Sequence, residues 1–328
     1  MNAYAPSDMT VVAVVLGCIA VAILLSLLIP NITSRSTGRI AAWLLVFAAV
    51  AGVNQLTTTE PAGFRMLAII SILLVCMKTV VLVETAARLR LPGWFGFTAL
   101  WMGMRPALFS GVPGPARNGA WNLVWIGLKR LAVGAAMIFL AWLVWQHAED
   151  HISDGPRRLL ATLLILPGIS FALHFGIFNL VAGSWRLLGA KCRPLFRAPI
   201  LSRSLTEFWG QRWNLAFSEM TAIGVFRPLR KRIGPRAATT VAFLFSGILH
   251  ELAISVPVKA GFGLPLLYFA LHGMGMTIEK VLEGRGRPIH RHALVGRFWT
   301  MAWVLIPLPI LFHQPFLRGC VWPLLGMD

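Results

Sequence analysis

Charge is scarce in this sequence, and negative charge is the scarcest. Only 13% of the 328 residues are charged, and there are 12 acidic residues but 30 basic ones. An ordinary soluble domain is about 25% charged and about 45–50% apolar, whereas this chain is 57% hydrophobic. The composition excludes a disordered protein, a coiled coil and an ordinary soluble enzyme. It favours a multi-pass membrane protein.

Cysteine is also rare. The four cysteines, Cys18, Cys76, Cys192 and Cys320, include no pair at the two-residue separation of a zinc or redox site. We therefore expect neither a disulfide framework nor a metal site. Strand-like alternation is absent as well, so the expected fold class is all-α.

Long apolar runs are abundant. A membrane-spanning helix needs about 20 mostly apolar residues. The qualifying segments predict a polytopic bundle of about eight transmembrane helices plus interfacial helices, with spans near 9–30, 40–54, 64–83, 131–146, 159–182, 237–256, 263–280 and 298–313. We expect a single membrane-embedded domain over 1–328, whose motif-bearing part is about 100–280.

The basic residues are distributed unevenly between the connections. With these spans, 24 of the 30 basic residues fall on one side, many of them in the long segment 183–236. By the positive-inside rule this side is cytoplasmic and both termini lie outside. Topology therefore accounts for most of the net charge of +18, and nucleic-acid binding is not needed. A composition rich in Arg, Trp and Ala indicates a bacterial inner membrane.

An imidazole lies inside the sixth predicted span, in the run FLFSGILHELAIS. A titratable side chain in a membrane helix usually faces the bundle interior, and imidazole suits proton transfer near neutral pH. Ser246 and Gly247, one turn before His250, are expected to leave room for a substrate. The alternative is that His250 only hydrogen-bonds a neighbouring helix. Glu251 lies about 100° further round the helix, and we expect it to pair with an arginine.

The run SLTEFWGQRWNLAFSEM, residues 204–220, predicts an amphipathic helix in the cytoplasmic segment. Two stripes would follow this helix, the apolar Trp209, Trp213, Ala216 and Met220 and the polar Glu207, Gln211, Asn214 and Ser218. The apolar stripe suits the membrane interface, and the simplest interpretation of the polar stripe is a water-facing side. The amide of Asn214 is nonetheless suited to polarising a carbonyl if the helix approaches the core.

The seventh predicted span carries a polar stripe of its own. Tyr268, His272 and Glu279 recur on one helical face, which we expect to face the bundle interior. Gly273 and Gly275 lie beside them, and we expect them to permit close helix packing.

Two of these runs together resemble a known family. EFWGQRWN, residues 207–214, followed by FSGILHE, residues 245–251, is similar to the wax-synthase-like branch of the membrane-bound O-acyltransferases. The stretch from Gly176 to Leu205 and the run MGMRPALF, residues 102–109, are similar to that branch as well. Plant members usually have Arg where this chain has Gln211.

The resemblance implies a membrane enzyme that moves a fatty acyl group from acyl-CoA to the hydroxyl of a lipophilic or polar alcohol. Acyl-CoA is then a co-substrate, and no permanently bound cofactor is expected. In that family the histidine of the SGxxHE run is the catalytic base, which corresponds to His250. The asparagine of the RWN run is the second functional residue, which corresponds to Asn214.

Further residues are expected to contact the reactants. For the substrate they are Trp209, Arg212, Trp213, Ser246, Tyr268 and His272. The anionic phosphates of CoA need cations at the cytoplasmic surface, for which the candidates are Arg203, Arg230, Lys231 and Arg232.

Two functions without acyl transfer stay open. The first is a lipid or polar-solute transporter or flippase, although transporters commonly show internal repeats and none is evident here. The second is a non-catalytic membrane scaffold in which the histidines serve packing.

Overall fold

The computed structural model describes residues 3–32 and 34–327, and all regular secondary structure in these residues is helical. Its α-helices are α1 Met9–Leu28, α2 Arg35–Leu56, α3 Ala62–Thr85, α4 Leu91–Ala99, α5 Ala120–His147, α6 Asp154–Ile169, α7 Phe178–Leu187, α8 Leu205–Glu207, α9 Leu215–Thr221, α10 Arg227–His250, α11 Val256–Val258, α12 Leu264–Gly284, α13 Ala293–Leu305, α14 Leu308–Leu311 and α15 Gln314–Phe316. Wider π-helical turns occur at Ser170–Ile177, Phe208–Arg212, Ala222–Phe226, Glu251–Ser255 and Leu317–Val321. The predicted all-α class is confirmed.

Among the described residues, seven helical stretches are long and apolar enough to cross a membrane. They are Met9–Asn31, Arg35–Leu56, Ala62–Thr85, Ala120–His147, Asp154–Leu187, Leu215–Val258 and Ala293–Leu311. Each contains or overlaps one of the eight predicted spans, and the chain is a multi-pass integral membrane protein. The eighth prediction, 263–280, corresponds to α12, which is less apolar than the seven because His272, Glu279 and Lys280 interrupt it.

The chain divides into two compact units. The first comprises Met1–Arg88, Gly103–Pro106 and Arg197–Phe316, and the second comprises Leu89–Met102, Ala107–Phe196 and Leu317–Asp328. Both motif runs belong to the first unit. A single domain over 1–328 stays a prediction.

In the first unit, α3 is the most deeply buried of the candidate spans. Helices α1 and α2 pack against it, and α10 packs against α12. Lys78, in the middle of α3, is fully buried, and its side-chain nitrogen donates a hydrogen bond to the carbonyl of Gly103. This hydrogen bond holds the segment Gly103–Pro106 against α3.

In the second unit, α5 packs along α6, α7 and the π-helical turn between them. Small residues permit this close approach. A Cβ on Gly134 of α5 would lie only 2.3 Å from the backbone nitrogen of Ala172, so the two backbones nearly touch.

The prediction of a single amphipathic helix over 204–220 is wrong. α8 is followed by the π-helical turn Phe208–Arg212, and the chain then turns sharply: Trp213 is extended, and Asn214 has the left-handed conformation with φ 40° and ψ 63°. Asparagine tolerates that conformation better than most residues and is a favoured helix N-cap. The two predicted stripes therefore do not lie along one helix.

The part of the chain after this break approaches the core. A Cβ on Gly224 would lie 3.5 Å from Val80 of α3, which is ordinary contact. Residues 215–226 therefore pack against a candidate span, although the sequence assigned them to the cytoplasmic segment. Gly234, with φ 79° and ψ 163°, then kinks α10.

Candidate active site

His250 is the last residue of α10, directly before the π-helical turn Glu251–Ser255. Turns of this kind are frequent at functional sites. The Nδ1 atom of the half-buried ring lies 2.7 Å from the carbonyl oxygen of Ser246. Because a carbonyl only accepts, Nδ1 must carry the proton and donate it, which leaves the lone pair on Nε2. Nε2 is therefore the atom that can take a proton from a substrate.

Two phenylalanine rings enclose His250. The ring of Phe269, on α12, lies 4.3 Å from the imidazole between centroids, and the ring of Phe217, on α9, lies 5.0 Å away. Neither residue stands out in the sequence. Contacts between helices distant in the chain leave no spacing signal, so one sequence could not reveal them.

Trp209 and His272 extend this group of rings. Trp209 lies 5.5 Å from Phe269 and 5.3 Å from His272, and Tyr268 lies 4.3 Å from His272. We call the set Trp209, Phe217, His250, Tyr268, Phe269 and His272 the aromatic cluster. It brings together four residues that the sequence predicted, His250, Trp209, Tyr268 and His272.

Asn214 joins this cluster through Phe217. Its side-chain oxygen accepts a hydrogen bond of 3.3 Å from the backbone N–H of Phe217 and so caps α9. The Nδ2 atom of the amide then keeps its two N–H donors for another partner. Asn214 is thus connected to His250 by a single intervening residue.

Glu279 holds the segment before Trp209 in position. Its carboxylate accepts hydrogen bonds from the backbone N–H groups of Leu205 and Thr206, from the hydroxyl of Thr206 and from the indole of Trp299. Ser204 caps the same short helix by accepting from the N–H of Glu207. As the spacing predicts, Tyr268, His272 and Glu279 all face inward, with exposures of 2%, 0% and 8%.

The side chain of Arg212 forms hydrogen bonds within the protein. Its guanidinium donates to the carboxylate of Glu207 at 2.6 Å and to the carbonyls of Arg197 and Ala198. Burial by itself would raise the pKa of the Glu207 carboxyl, but the Arg203 backbone N–H and the Arg212 guanidinium outweigh it and hold that pKa below its usual value. The pair closes the loop 197–212, and a substrate contact by Arg212 stays a prediction.

Trp213 stacks on Phe208, with ring centroids 5.6 Å apart and planes at 11°. The exposed side chains of Arg203, Arg230, Lys231 and Arg232 lie outside the aromatic cluster's buried interior. Their contact with CoA phosphates stays a prediction.

Two expectations around His250 are wrong. Gly247 leaves no room for a substrate, because a Cβ there would lie 2.9 Å from the backbone of Leu266: the space is taken by α12. The hydroxyl of Ser246 donates to Ala242 within the same helix.

Glu251 does not pair with an arginine among the described residues. Its carboxylate instead accepts from the N–H groups of Gly263 and Leu266 and caps α12.

The expected role of the span-seven glycines in packing holds for one of the two. A Cβ on Gly275 would lie 2.6 Å from the side chain of Leu205, whereas a Cβ on Gly273 would make an ordinary contact of 3.7 Å with Phe243. Gly275 therefore permits the close approach of α8 to α12.

The chain is similar to several known proteins. Residues 192–271 match the Membrane bound O-acyl transferase family, a range that includes both Asn214 and His250. The chain is 33% identical over 218 residues to an Arabidopsis thaliana protein named "Probable long-chain-alcohol O-fatty-acyltransferase 1", covering 63% of this chain and 62% of the relative. It is 32% identical over 105 residues to the long-chain-alcohol O-fatty-acyltransferase of Simmondsia chinensis, covering 29% and 30%.

A third relative is named for a different acceptor. The Arabidopsis thaliana acyl-CoA–sterol O-acyltransferase 1 is 28% identical over 183 residues, which is 52% of each chain. The chain matches less than two thirds of the length of each of these relatives. The resemblance to the wax-synthase-like branch is confirmed.

Proposed function

We propose that this chain, whose middle part resembles the wax-synthase-like membrane-bound O-acyltransferases, transfers a fatty acyl group from acyl-CoA to the hydroxyl of an alcohol. The observation that carries the proposal is the hydrogen bond from His250 Nδ1 to the Ser246 carbonyl. It fixes the tautomer in which Nε2 can act as a base, inside an apolar cluster of rings.

In the reaction, the alcohol hydroxyl donates its hydrogen bond to His250 Nε2. The alcohol oxygen attacks the thioester carbon while its proton passes to Nε2, so the new C–O bond forms before the C–S bond breaks. The imidazolium then returns the proton to the departing sulfur, which leaves as the CoA thiol. A positioned general base typically contributes about 10²–10⁴-fold.

The role of Asn214 is to stabilise the carbonyl oxygen of the thioester. Negative charge develops on that oxygen as the alcohol attacks, and preorganised N–H donors stabilise it. Because the Asn214 oxygen caps Phe217, the Nδ2 hydrogens are the donors available for this role. No acyl-enzyme is needed in such a direct transfer.

The reactants approach from different environments. The acyl chain and a lipophilic alcohol partition into the bilayer, whereas CoA is anionic and soluble in water. Its phosphates would bind exposed cations (Arg203, Arg230, Lys231 and Arg232), with planar guanidinium groups suited to bidentate contact. The relatives named above are plant proteins and give no support to a bacterial inner membrane.

The experiment compares lipid extracts of cells with and without the protein by mass spectrometry. We expect a new ester species in cells that express the chain, and in isolated membranes its formation should depend on added acyl-CoA. If the membranes instead move a labelled lipid between leaflets and form no ester, the protein is a transporter and the proposal is wrong.

A further inference from the structure

Two buried polar atoms of the aromatic cluster have no hydrogen-bond partner among the described residues. They are the indole Nε1 of Trp209 and the imidazole Nε2 of His272. His272 is completely buried. The two rings meet edge to face, with centroids 5.3 Å apart and planes at 88°.

The chemistry of the two atoms is complementary. His272 Nδ1 lies 2.8 Å from the carbonyl oxygen of Tyr268 and must donate to it, so Nε2 carries a lone pair and accepts. Indole Nε1–H can only donate. A buried donor or acceptor without a partner is unfavourable, and such atoms in proteins normally have one.

Neighbouring polar groups are already engaged. The Tyr268 hydroxyl donates to the carbonyl of Val304. The Glu279 carboxylate, further along α12, accepts from Leu205, Thr206 and Trp299. Trp209 and His272 therefore suit a neutral group that accepts one hydrogen bond and donates another. A hydroxyl does both.

The reacting groups do not fit this requirement. The hydroxyl that is acylated has one proton, and in the proposed function it gives that proton to His250. The thioester carbonyl can accept from Trp209 but has nothing to donate to His272. We propose that Trp209 and His272 bind a second hydroxyl of the acceptor, which is therefore a lipid with two hydroxyl groups. This inference rests on the proposed function.

The apolar rings around Trp209 and His272 are suited to binding a lipid. Trp209 contacts the rings of Phe243 and Phe269 as well as His272. An apolar wall around one donor and one acceptor would admit a hydroxyl attached to an alkyl chain and reject a charged group, which would lose its hydration without gaining a counter-ion.

The test measures kcat/KM of the purified full chain with one acyl-CoA and matched acceptors: a 1-alkanol, and the 1,2-diol and 1,3-diol of the same chain length. We expect the better diol to exceed the alkanol by about tenfold or more, because only the diol satisfies both buried atoms. His272→Phe and Trp209→Phe should each reduce this ratio to about one, whatever their absolute rates. Thr277→Val, at an exposed position of α12, should keep the wild-type ratio.

Equal use of alkanol and diols by the wild-type chain would overturn the inference and leave the proposed function standing, since a water molecule then suffices for the two atoms. A diol preference that survives in His272→Phe also overturns it. If no ester forms from any acceptor, the proposed function fails and this inference fails with it.

Discussion

The ring of Phe217 lies 5.0 Å from the ring of His250, measured between centroids. The backbone N–H of the same Phe217 donates to the side chain of Asn214. One residue thus contacts the proposed base through its ring and fixes the amide through its backbone. A displacement of the turn at Asn214 would also move a wall of the His250 environment.

The two roles of Asn214, as a helix cap and as a hydrogen-bond donor, can be separated by Asn214→Asp. Aspartate still accepts from the Phe217 N–H and tolerates the left-handed conformation, but it has no N–H donor for the carbonyl oxygen. We expect a nearly unchanged thermal midpoint and a kcat about 10²–10³-fold lower. Ester formation by the purified variant checks this. Wild-type activity in Asn214→Asp would show that the amide only caps α9.

Glu279 is expected to stabilise the segment before Trp209. Glu279→Ala leaves the N–H groups of Leu205 and Thr206 and the indole of Trp299 without their shared acceptor. We expect the free energy of unfolding to fall by about 1–3 kcal/mol, together with a loss of activity as Trp209 shifts. The control is Glu283→Ala, an exposed carboxylate on the same helix. Equal thermal midpoints for the two variants would contradict this role.

Gly247 and Gly273 form a matched pair for testing helix packing. A Cβ on Gly247 meets the backbone of Leu266 at 2.9 Å, and one on Gly273 makes an ordinary contact. Gly247→Ala should therefore destabilise the protein by about 1–3 kcal/mol, whereas Gly273→Ala should be neutral or slightly stabilising. Thermal unfolding of both detergent-purified variants measures the difference. If Gly247→Ala left the thermal midpoint unchanged, α10 and α12 could separate freely, and this explanation of their packing would be wrong.

Hydropathy predicts the membrane spans well because a long apolar run has few alternatives to a spanning helix. The inward face of Tyr268, His272 and Glu279 is equally predictable, since helical spacing alone puts them together. The break in the helix at Trp213 and Asn214 is not predictable from the sequence. A single left-handed residue between two helical pieces does not change the amphipathic pattern of residues 204–220. The partners of Glu251 and Glu279 are not predictable for another reason: both carboxylates bind backbone N–H groups, which any sequence offers.

Acid should weaken the loop that Glu207 and Arg212 close. The pKa of the Glu207 carboxyl is held below its usual value, because its hydrogen bonds with the Arg203 N–H and the Arg212 guanidinium outweigh the effect of burial. A lowered folded-state pKa gives stability that is present above the unfolded value, about 4.3, and is lost as pH falls through the folded value. The thermal midpoint of the wild type should therefore exceed that of Glu207→Gln at pH 7, and the difference should shrink as pH falls below about 4.3. A difference that does not change with pH would contradict this explanation.

The central claim is that His250 Nε2 takes the proton of the acceptor hydroxyl, and His250→Gln tests it most directly. Glutamine is polar and of similar reach but is not a base near neutral pH. The measurement is kcat for ester formation by purified protein at saturating acyl-CoA and alcohol, with His290→Gln, at an exposed position between α12 and α13, as the control. We predict a decrease of about 10²–10⁴-fold for His250→Gln, an unchanged rate for the control and similar thermal midpoints for both. A kcat for His250→Gln within about threefold of wild type would contradict general-base catalysis by this histidine.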